Sequence, residues 1–222
     1  TTSTLLTFVL AMSMHPELQK RAQEELDGIV GQDRLPEMED QDALPFITAI
    51  MKECLRWRPV LPLGVAHQSL ADDEYKGFYI PAGSVIIGNT WAILHDAERY
   101  PDPDTFNPYR FVDREGRLQK DAFDPMEAFG YGRRMCPGRY FALDFMWLAM
   151  ANILAVFSIQ KPVDELGNVI EPSGVYTTGL FRYTRCFCLC IHTDNPVVFL
   201  PLSEPPSSCE ETVTSLHNAM EK

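Results

Sequence analysis

The chain has 222 residues, and 45% of them are apolar, which is enough to build a hydrophobic core and excludes a fully disordered polymer. Lys and Arg number 19 against 31 Asp and Glu, so the formal net charge is −12. Binding to nucleic acid needs clustered cations that neutralise phosphates, so a chain this acidic is not expected to bind DNA or RNA. Six cysteines are too few for a disulfide scaffold.

The first quarter of the chain has the apolar spacing of helices. The chain opens inside such a pattern at Thr1, so we interpret its start as lying within a helix. Pro16 is suited to begin a second helix, since Pro is favoured at the first helical positions, and Gly31 is suited to end it. Residues 35–44 are acidic and broken, which predicts a short helical turn, and residues 45–57 predict a third helix.

The next part of the chain changes to short apolar runs between Gly and Pro residues, a pattern typical of short strands joined by turns. Each run is too short for a helix and is bounded by residues that favour turns. We therefore predict strands at residues 60–66, 77–80 and 84–88, with turns at residues 72–73 and 81–83.

A long irregular segment follows at residues 95–128, which are rich in Pro, Asp and Arg. Residues 137–156 then predict a helix, and residues 157–200 predict strands and turns. The apolar stretch 140–159 approaches the length of a membrane span. Because Asp144 interrupts it, we favour a buried core helix over a span.

Three cysteines near the C-terminus, Cys186, Cys188 and Cys190, alternate in sequence and would share one face of a strand. A metal site would need a fourth ligand with convergent geometry, so a buried strand face is the favoured interpretation. Residues 203–222 are polar and acidic and are predicted to form a mobile tail.

The most informative run surrounds Cys136 and reads Phe129-Gly130-Tyr131-Gly132-Arg133-Arg134-Met135-Cys136-Pro137-Gly138. Because Pro137 is suited to begin a helix, the positive end of that helix would face Cys136. The helix end and the neighbouring arginines would favour a thiolate and lower the pKa of Cys136. An isolated cysteine at this place would be interpreted as a buried residue in a glycine-rich turn. The complete pattern, with glycines that let a flat ligand approach, instead favours a thiolate ligand for a soft metal.

This run resembles the haem-binding loop of the cytochrome P-450 monooxygenases. The resemblance implies that Cys136 is the proximal thiolate ligand of the haem iron. It also implies that Arg134 contacts a haem propionate and that Phe129 shields the sulfur. Gly132 and Gly138 match the two remaining fixed positions of the family's pattern.

Two further motifs resemble the same family. Glu53-Cys54-Leu55-Arg56 matches its Glu-x-x-Arg on helix K, and at that spacing the two charges share a helix face. Residues 106–111 look like the family's Pro-x-Arg-Phe segment. The resemblance implies that Glu53, Arg56 and Arg110 form a buried triad with a structural rather than catalytic role. Residues 91–103 look like helix K′ and the meander that precedes the haem loop.

The resemblance also implies residues that face the haem and the substrate. His67 stands where many members have a His or Arg that reaches a propionate, although a solvent-facing strand histidine is the alternative. The family often has Pro just before that position, whereas this chain has Ala66. The substrate-facing residues implied by the resemblance are apolar: Val60, Leu61, Leu63, Val65 and Leu180.

The chain begins at the place where the family has its oxygen-activating helix. Thr1 is therefore either the Thr that guides protons to bound dioxygen or a residue just after it. By this resemblance, the chain would lack the acidic residue that precedes this Thr in the family, the N-terminal membrane anchor and the first helices of the fold.

The resemblance implies a fold that is mainly α with a small β region (α+β), the C-terminal half of the cytochrome P-450 fold. Residues 1–202 would form the part from the end of helix I through helix L and the C-terminal β region, followed by the tail at 203–222. The cofactor would be haem b (iron protoporphyrin IX). The partners would be NADPH–cytochrome P-450 reductase, O2 and a small hydrophobic substrate. The full-length parent would lie on the cytosolic face of the endoplasmic reticulum membrane.

The implied activity is insertion of one oxygen atom from O2 into a hydrophobic organic substrate. The residues of these motifs are similar to those of a fungal group described as O-methylsterigmatocystin oxidoreductase-like. This similarity indicates fungal secondary metabolism but does not identify a substrate. Two alternatives remain at this point. The chain could be a catalytically inactive truncated fragment, or part of a haem-thiolate peroxygenase or isomerase that needs no reductase.

Overall fold

The computed structural model describes residues 1–119, 121–162, 166, 168–172, 174–179, 181–184 and 190–193. Its described part is rich in helix and carries small two-stranded sheets, which confirms the predicted α+β class. The α-helices are α1 (Thr2–Met14), α2 (Pro16–Ile29), α3 (Pro45–Trp57), α4 (Thr90–Leu94) and α5 (Arg139–Val156). Short 3₁₀ turns lie at Met38–Ala43, Pro108–Phe111, Met126–Phe129 and Gly132–Arg134.

The core lies where α1, α2, α3 and α5 pack together. Phe8 of α1, Ile50 of α3 and Trp147 of α5 are all fully buried there. The first two helices meet at Pro16, which stands at the first helical position of α2 as predicted. Gly31 follows the end of α2 with a φ of +75°, the left-handed conformation that glycine adopts without strain.

A buried glutamine joins α2 to the sheet at the end of α5. The sheet pairs β5 (Phe157–Gln160) with β6 (Cys190–Thr193) in antiparallel register, Phe157 opposite Thr193. Gln19 donates from Nε2 to the Ile159 carbonyl at 2.9 Å, and its Oε1 accepts from the Ile159 amide at 2.7 Å. The side chain therefore satisfies both backbone groups of a buried strand residue.

Two more antiparallel pairs lie between α3 and α4. One pairs β1 (His67–Gln68) with β4 (Val85–Ile86), and the other pairs β2 (Asp73–Tyr75) with β3 (Phe78–Ile80). The β2–β3 turn has Lys76 and Gly77 at φ values of 51° and 81°, which suit a two-residue hairpin. The prediction of a turn at residues 72–73 was wrong on this point, because Asp73 already pairs with Ile80.

The prediction of a strand at residues 60–66 was also wrong. The backbone turns there instead, with the Gly64 amide donating to the Leu61 carbonyl at 3.0 Å and Gly64 at a φ of +61°. Pro62 cannot donate to a ladder, and a left-handed residue interrupts an extended run, so pairing starts only at β1.

The long helix α5 begins at Arg139, two residues later than Pro137 predicted. Pro137 and Gly138 form a turn, and the Arg139 amide donates to the Cys136 carbonyl at 3.3 Å. Within the described residues α5 is the one helix whose length and composition would allow a membrane span. One face of it packs on α2 and α3, whereas Tyr140 and Phe141 at its start are exposed, so only part of the helix is buried as a core helix would be.

Several predictions fall on residues that the structure does not describe. They concern the side chains of Cys186, Cys188 and Cys190, the substrate-facing Leu180 and the tail at 203–222. The backbone of Cys190 belongs to β6, and the rest of these predictions stay as they were made.

Candidate functional site

The three charged side chains of the predicted triad, Glu53, Arg56 and Arg110, contact one another. Glu53 and Arg56 are fully buried, and the Arg56 guanidinium donates to both carboxylate oxygens of Glu53, at 2.7 Å from Nε and 2.9 Å from a terminal nitrogen. Arg110 donates from Nε to the same carboxylate at 3.2 Å, and the Asn107 amide donates to it at 2.8 Å. A buried carboxylate with this many donors is satisfied rather than isolated.

The guanidinium groups of Arg56 and Arg110 also donate hydrogen bonds to backbone carbonyls between residues 94 and 105. Arg56 donates to Leu94 at 3.0 Å and to Thr105 at 3.3 Å, while Arg110 donates to Pro101 at 2.9 Å. These bonds tie α3 to the chain between α4 and the Cys136 loop. The cluster has no open position for a substrate, because its donors are used on backbone and carboxylate oxygens.

The loop that carries Cys136 is built from two short turns and two left-handed glycines. The 3₁₀ turn Met126–Phe129 ends at Gly130, which has a φ of +95°, and Gly132 at +54° opens the next turn. The Cys136 amide donates to the Phe129 carbonyl at 2.8 Å, which closes the loop. Phe129 packs against the core, whereas the Cys136 thiol is exposed.

The predicted cofactor-binding residues of this loop share an open surface. Arg134, Gly132 and Gly138 are exposed like Cys136, and an added Cβ at either glycine would meet no atom within 4 Å among the described residues. Neither Arg133 nor Arg134 forms an ion pair in the described part of the chain. A flat anionic ligand could therefore approach the thiol with cationic groups beside it.

The start of α1 lies on the side of the Cys136 loop. Thr1 lies close enough to Cys136 for the two residues to interact electrostatically. Thr1 itself is the exposed N-cap residue of α1, and its side chain makes no capping hydrogen bond.

One hydrogen bond links the chain after α3 to the C-terminal part. The Arg182 amide donates to the Val60 carbonyl at 2.9 Å, which brings Val60 beside Arg182. Val60 and Leu61 are half-buried, and Leu63 and Val65 are exposed. His67 is exposed on β1, opposite Ile86, and its contact with a propionate stays a prediction.

The single thiol of Cys136 fits a metal whose other ligands belong to a cofactor. The described residues contain no group of three or more His, Cys, Asp or Glu side chains that could hold an ion. A single accessible thiol can supply one axial ligand, and the four nitrogens of a porphyrin supply the rest. The residues present therefore fit haem.

Sequence reasoning missed two further groups of contacts near this loop. Tyr131 donates to or accepts from Thr90 Oγ1 at 2.8 Å, although the two lie 41 residues apart. Arg58 lies over the Trp57 ring at 4.5 Å and near Trp91 at 5.8 Å, and burial lowers its pKa. No local pattern marks either contact, because both depend on distant segments meeting.

Comparison with known proteins agrees with this fold. The sequence model of the family described as Cytochrome P450 matches residues 1–181. A cytochrome P450 monooxygenase of Armillaria gallica is 53% identical over 187 residues, which are 83% of this chain and 36% of that protein. The tryptamine 4-monooxygenase of Psilocybe cyanescens is 41% identical over 189 residues, 84% of this chain and 37% of that protein.

The monooxygenase ple1 of Rhodocybe pseudopiperita is 47% identical over 177 residues, which are 79% of this chain and 34% of that protein. The chain therefore spans about a third of the length of the curated relatives it matches. With its α+β fold and its single-cysteine loop, the chain belongs to the cytochrome P450 family. These relatives do not test the narrower likeness to the O-methylsterigmatocystin oxidoreductase-like group, which stays a prediction.

Proposed function

We propose that the chain is the haem-binding part of a longer monooxygenase that inserts one oxygen atom from O2 into a hydrophobic organic substrate. The observation that carries this proposal is the exposed Cys136 thiol in its closed loop, with no other metal-ligating cluster in the described residues. The fungal relatives named as monooxygenases support the same activity.

The cofactor we propose is haem b, whose bound iron supplies the activation of dioxygen. Cys136 is its axial ligand in this proposal, held in place by the Cys136–Phe129 backbone bond. Arg134 and His67 are proposed to bind the haem propionates, since both are exposed cation-forming side chains. Phe129, which packs against the core, is proposed to shield the sulfur. Gly132 and Gly138, where an added Cβ would meet no described atom within 4 Å, are proposed to leave room for the haem.

The predicted substrate-facing residues are proposed to bind the substrate, and Thr1 is proposed to take part in proton transfer. Val60, Leu61, Leu63 and Val65 offer an apolar wall after α3, and Leu180 extends it from the second segment, which lies outside the described residues. The Arg182–Val60 bond supports this pairing of segments. Thr1 at the start of α1 is proposed to hold a proton near the bound dioxygen.

Electrons would come from NADPH–cytochrome P450 reductase, and the full-length protein would lie on the cytosolic face of the endoplasmic reticulum membrane. The structural role proposed for Glu53, Arg56 and Arg110 is to fix the irregular segment that leads into the Cys136 loop. Residues 1–202 are proposed as part of one P450 domain, and residues 203–222 as a mobile tail.

The ligand assignment is tested by the absorption spectrum of the reduced, carbon monoxide-bound full-length protein. Thiolate ligation shifts the main band strongly to the red, and Cys136→Ser should abolish that shift because a hydroxyl is a much poorer donor to iron. Cys54→Ala removes the buried cysteine of α3 and serves as the matched control, which should keep the shifted band. A red-shifted band in Cys136→Ser would overturn the assignment.

The reaction is tested by turnover with a panel of apolar substrates. Product that requires both NADPH and the reductase supports a monooxygenase. Product formed with peroxide alone, or isomerisation without added electrons, would contradict it and favour a peroxygenase or an isomerase.

A further inference from the structure

The Tyr131 ring fills a space that a side chain at residue 88 would need. A Cβ added at Gly88 would lie 2.5 Å from Tyr131 Cε2 and 3.2 Å from Cδ2 and Cζ. A Cβ added at Gly64, on the neighbouring turn, would lie 3.9 Å from the same Cε2 atom. The ring of the Cys136 loop therefore rests directly on the backbone that follows β4.

The Tyr131 hydroxyl adds a directional contact at the same place. It lies 2.8 Å from Oγ1 of Thr90, the first residue of α4, and Thr90 is 1% exposed. The Asn89 side chain caps the same helix by accepting from the Ala92 amide, so Thr90 has a fixed position. Ring and hydroxyl together join the loop to the junction of β4 and α4.

The backbone on each side of Tyr131 would otherwise be free to pivot. Gly130 and Gly132 flank it at φ values of +95° and +54°, and glycine permits these conformations without fixing them. Arg133 and Arg134 point to solvent and offer no comparable anchor. The Cys136–Phe129 bond closes the loop, so any displacement of residue 131 reaches Cys136 within the same closed segment.

We propose that Tyr131 is a positioning residue that holds the Cys136 thiolate at its bonding distance from the haem iron, and that Gly88 is required because any side chain there displaces the Tyr131 ring. The inference rests on the proposed haem-thiolate function. It adds a residue pair, Tyr131 and Gly88, that acts on the ligand without touching the haem iron. A loosened loop would weaken thiolate donation, and the iron would then be easier to reduce.

The first experiment is a double-mutant cycle in the full-length, haem-loaded protein. Gly88→Ala should lower the fraction of the reduced carbon monoxide complex that shows the thiolate band and should speed haem loss. In a Tyr131→Ser background, where the ring is gone, Gly88→Ala should have little further effect. Gly28→Ala is the matched control, because a Cβ there meets no atom within 4 Å and should leave both readouts unchanged.

The second experiment separates the hydroxyl from the ring. Tyr131→Phe should speed haem loss about twofold to tenfold, the effect of one hydrogen bond. Tyr131→Ser should do so more strongly and shift the reduction potential of the iron to a more positive value. A purely structural role would lower the thermal midpoint without moving the reduction potential.

The outcomes distinguish this inference from the proposed function. A wild-type protein without the thiolate band would contradict the proposed function itself. A wild-type protein with the band, but Tyr131→Ser with the same band, potential and haem-loss rate, would overturn the role of Tyr131 alone. Equal effects of Gly88→Ala in both backgrounds would overturn the role assigned to Gly88.

Discussion

At the scale of single residues, Glu53 is the buried charge on which the irregular segment depends. Its carboxylate accepts from Arg56, from Arg110 and from the Asn107 amide. Removal of one partner from such a cluster leaves buried charge without full compensation. The second arginine matters here, because it would still face Glu53 after Arg56 is lost.

We expect Arg56→Ala to lower the free energy of unfolding by about 3–5 kcal/mol, the usual result of breaking a buried pair. This is a large share of a domain's net stability of about 5–15 kcal/mol. The full-length protein should then misfold and lose haem, as judged by recovery of folded, haem-loaded protein. Arg99→Ala, which breaks the partly exposed Arg99–Glu127 pair, is the control and should change stability by less than about 1 kcal/mol. Folded, haem-loaded but inactive Arg56→Ala protein would contradict the structural role.

His95 gives the chain a defined response to acid. Burial lowers its pKa from the ordinary value of 6.5 to about 4, although the Nδ1 contact to the Trp91 carbonyl at 3.0 Å acts in the opposite direction. Because the folded pKa lies below the unfolded one, the folded state prefers the neutral ring. The stability from this group is present above pH 6.5 and is lost as the pH falls towards about 4.

The prediction for His95 is a pH-dependent stability that His95→Phe removes. Phe keeps a ring to stack on Trp91, which lies 3.5 Å from His95 between ring centroids, but it does not titrate. Thermal midpoints of both proteins should be measured from pH 7 to about 4. The wild-type midpoint should fall more steeply than that of His95→Phe, and parallel curves would show that His95 titrates normally in the folded state.

At the scale of elements, the contact between α2 and β5 decides how the C-terminal sheet sits on the helices. Gln19 bonds both the amide and the carbonyl of Ile159 and is 3% exposed. Gln23, one turn further on, donates to the Leu154 and Phe157 carbonyls at 3.1 Å each. The polar side chains on this face of α2 thus form hydrogen bonds with the backbone of β5 like those that a neighbouring strand would form.

We expect Gln19→Leu to lower the free energy of unfolding by about 2–4 kcal/mol, because two buried backbone groups of Ile159 lose their partners. Urea denaturation of the full-length protein measures the change. Gln32→Leu, at an exposed position after α2, is the matched control and should change stability by less than about 0.5 kcal/mol. If both variants unfold at the same urea concentration, Gln19 does not support the sheet.

At the scale of the whole molecule, many large apolar side chains remain on the surface, among them residues of α5 and of β3. Tyr140 and Phe141 at the start of α5 are 64% and 76% exposed, and Phe78 on β3 is 74% exposed. Neighbouring exposed apolar groups of this size mark surfaces that contact other protein or a membrane. The relatives are about three times as long as the matched region, so a longer protein offers chain to cover them.

Residues 1–222 expressed alone should therefore be poorly soluble, bind haem loosely and show no reductase-supported hydroxylation. Because Cys136 is exposed among the described residues, water would reach an iron bound there, and a substrate would not be held beside it. The test is expression with a haem precursor, followed by the carbon monoxide spectrum and turnover with reductase and NADPH. A stable thiolate spectrum with coupled product formation would contradict this expectation.

Local signals in the sequence were sufficient for α1, α2 and α3, for most of α5 and for the motif at Cys136. Pro16 and Pro45 begin α2 and α3, and Gly31 follows α2, because their effects act within one turn of the chain. The run around Cys136 predicted a loop with a thiolate ligand, and its resemblance indicated the family that the comparisons show.

Only the tertiary structure decided how distant segments meet. Tyr131 reaches Thr90 across 41 residues, and no periodicity or motif predicts that contact. Arg110 reaches Glu53 across 57 residues, a contact that the resemblance predicted but that the local sequence pattern does not. The turn at Gly64 and the later start of α5 at Arg139 also escaped prediction. Residues 60–66 have the composition of a strand, but pairing needs a partner in register, and the chain there packs against Tyr131 and Thr90 instead.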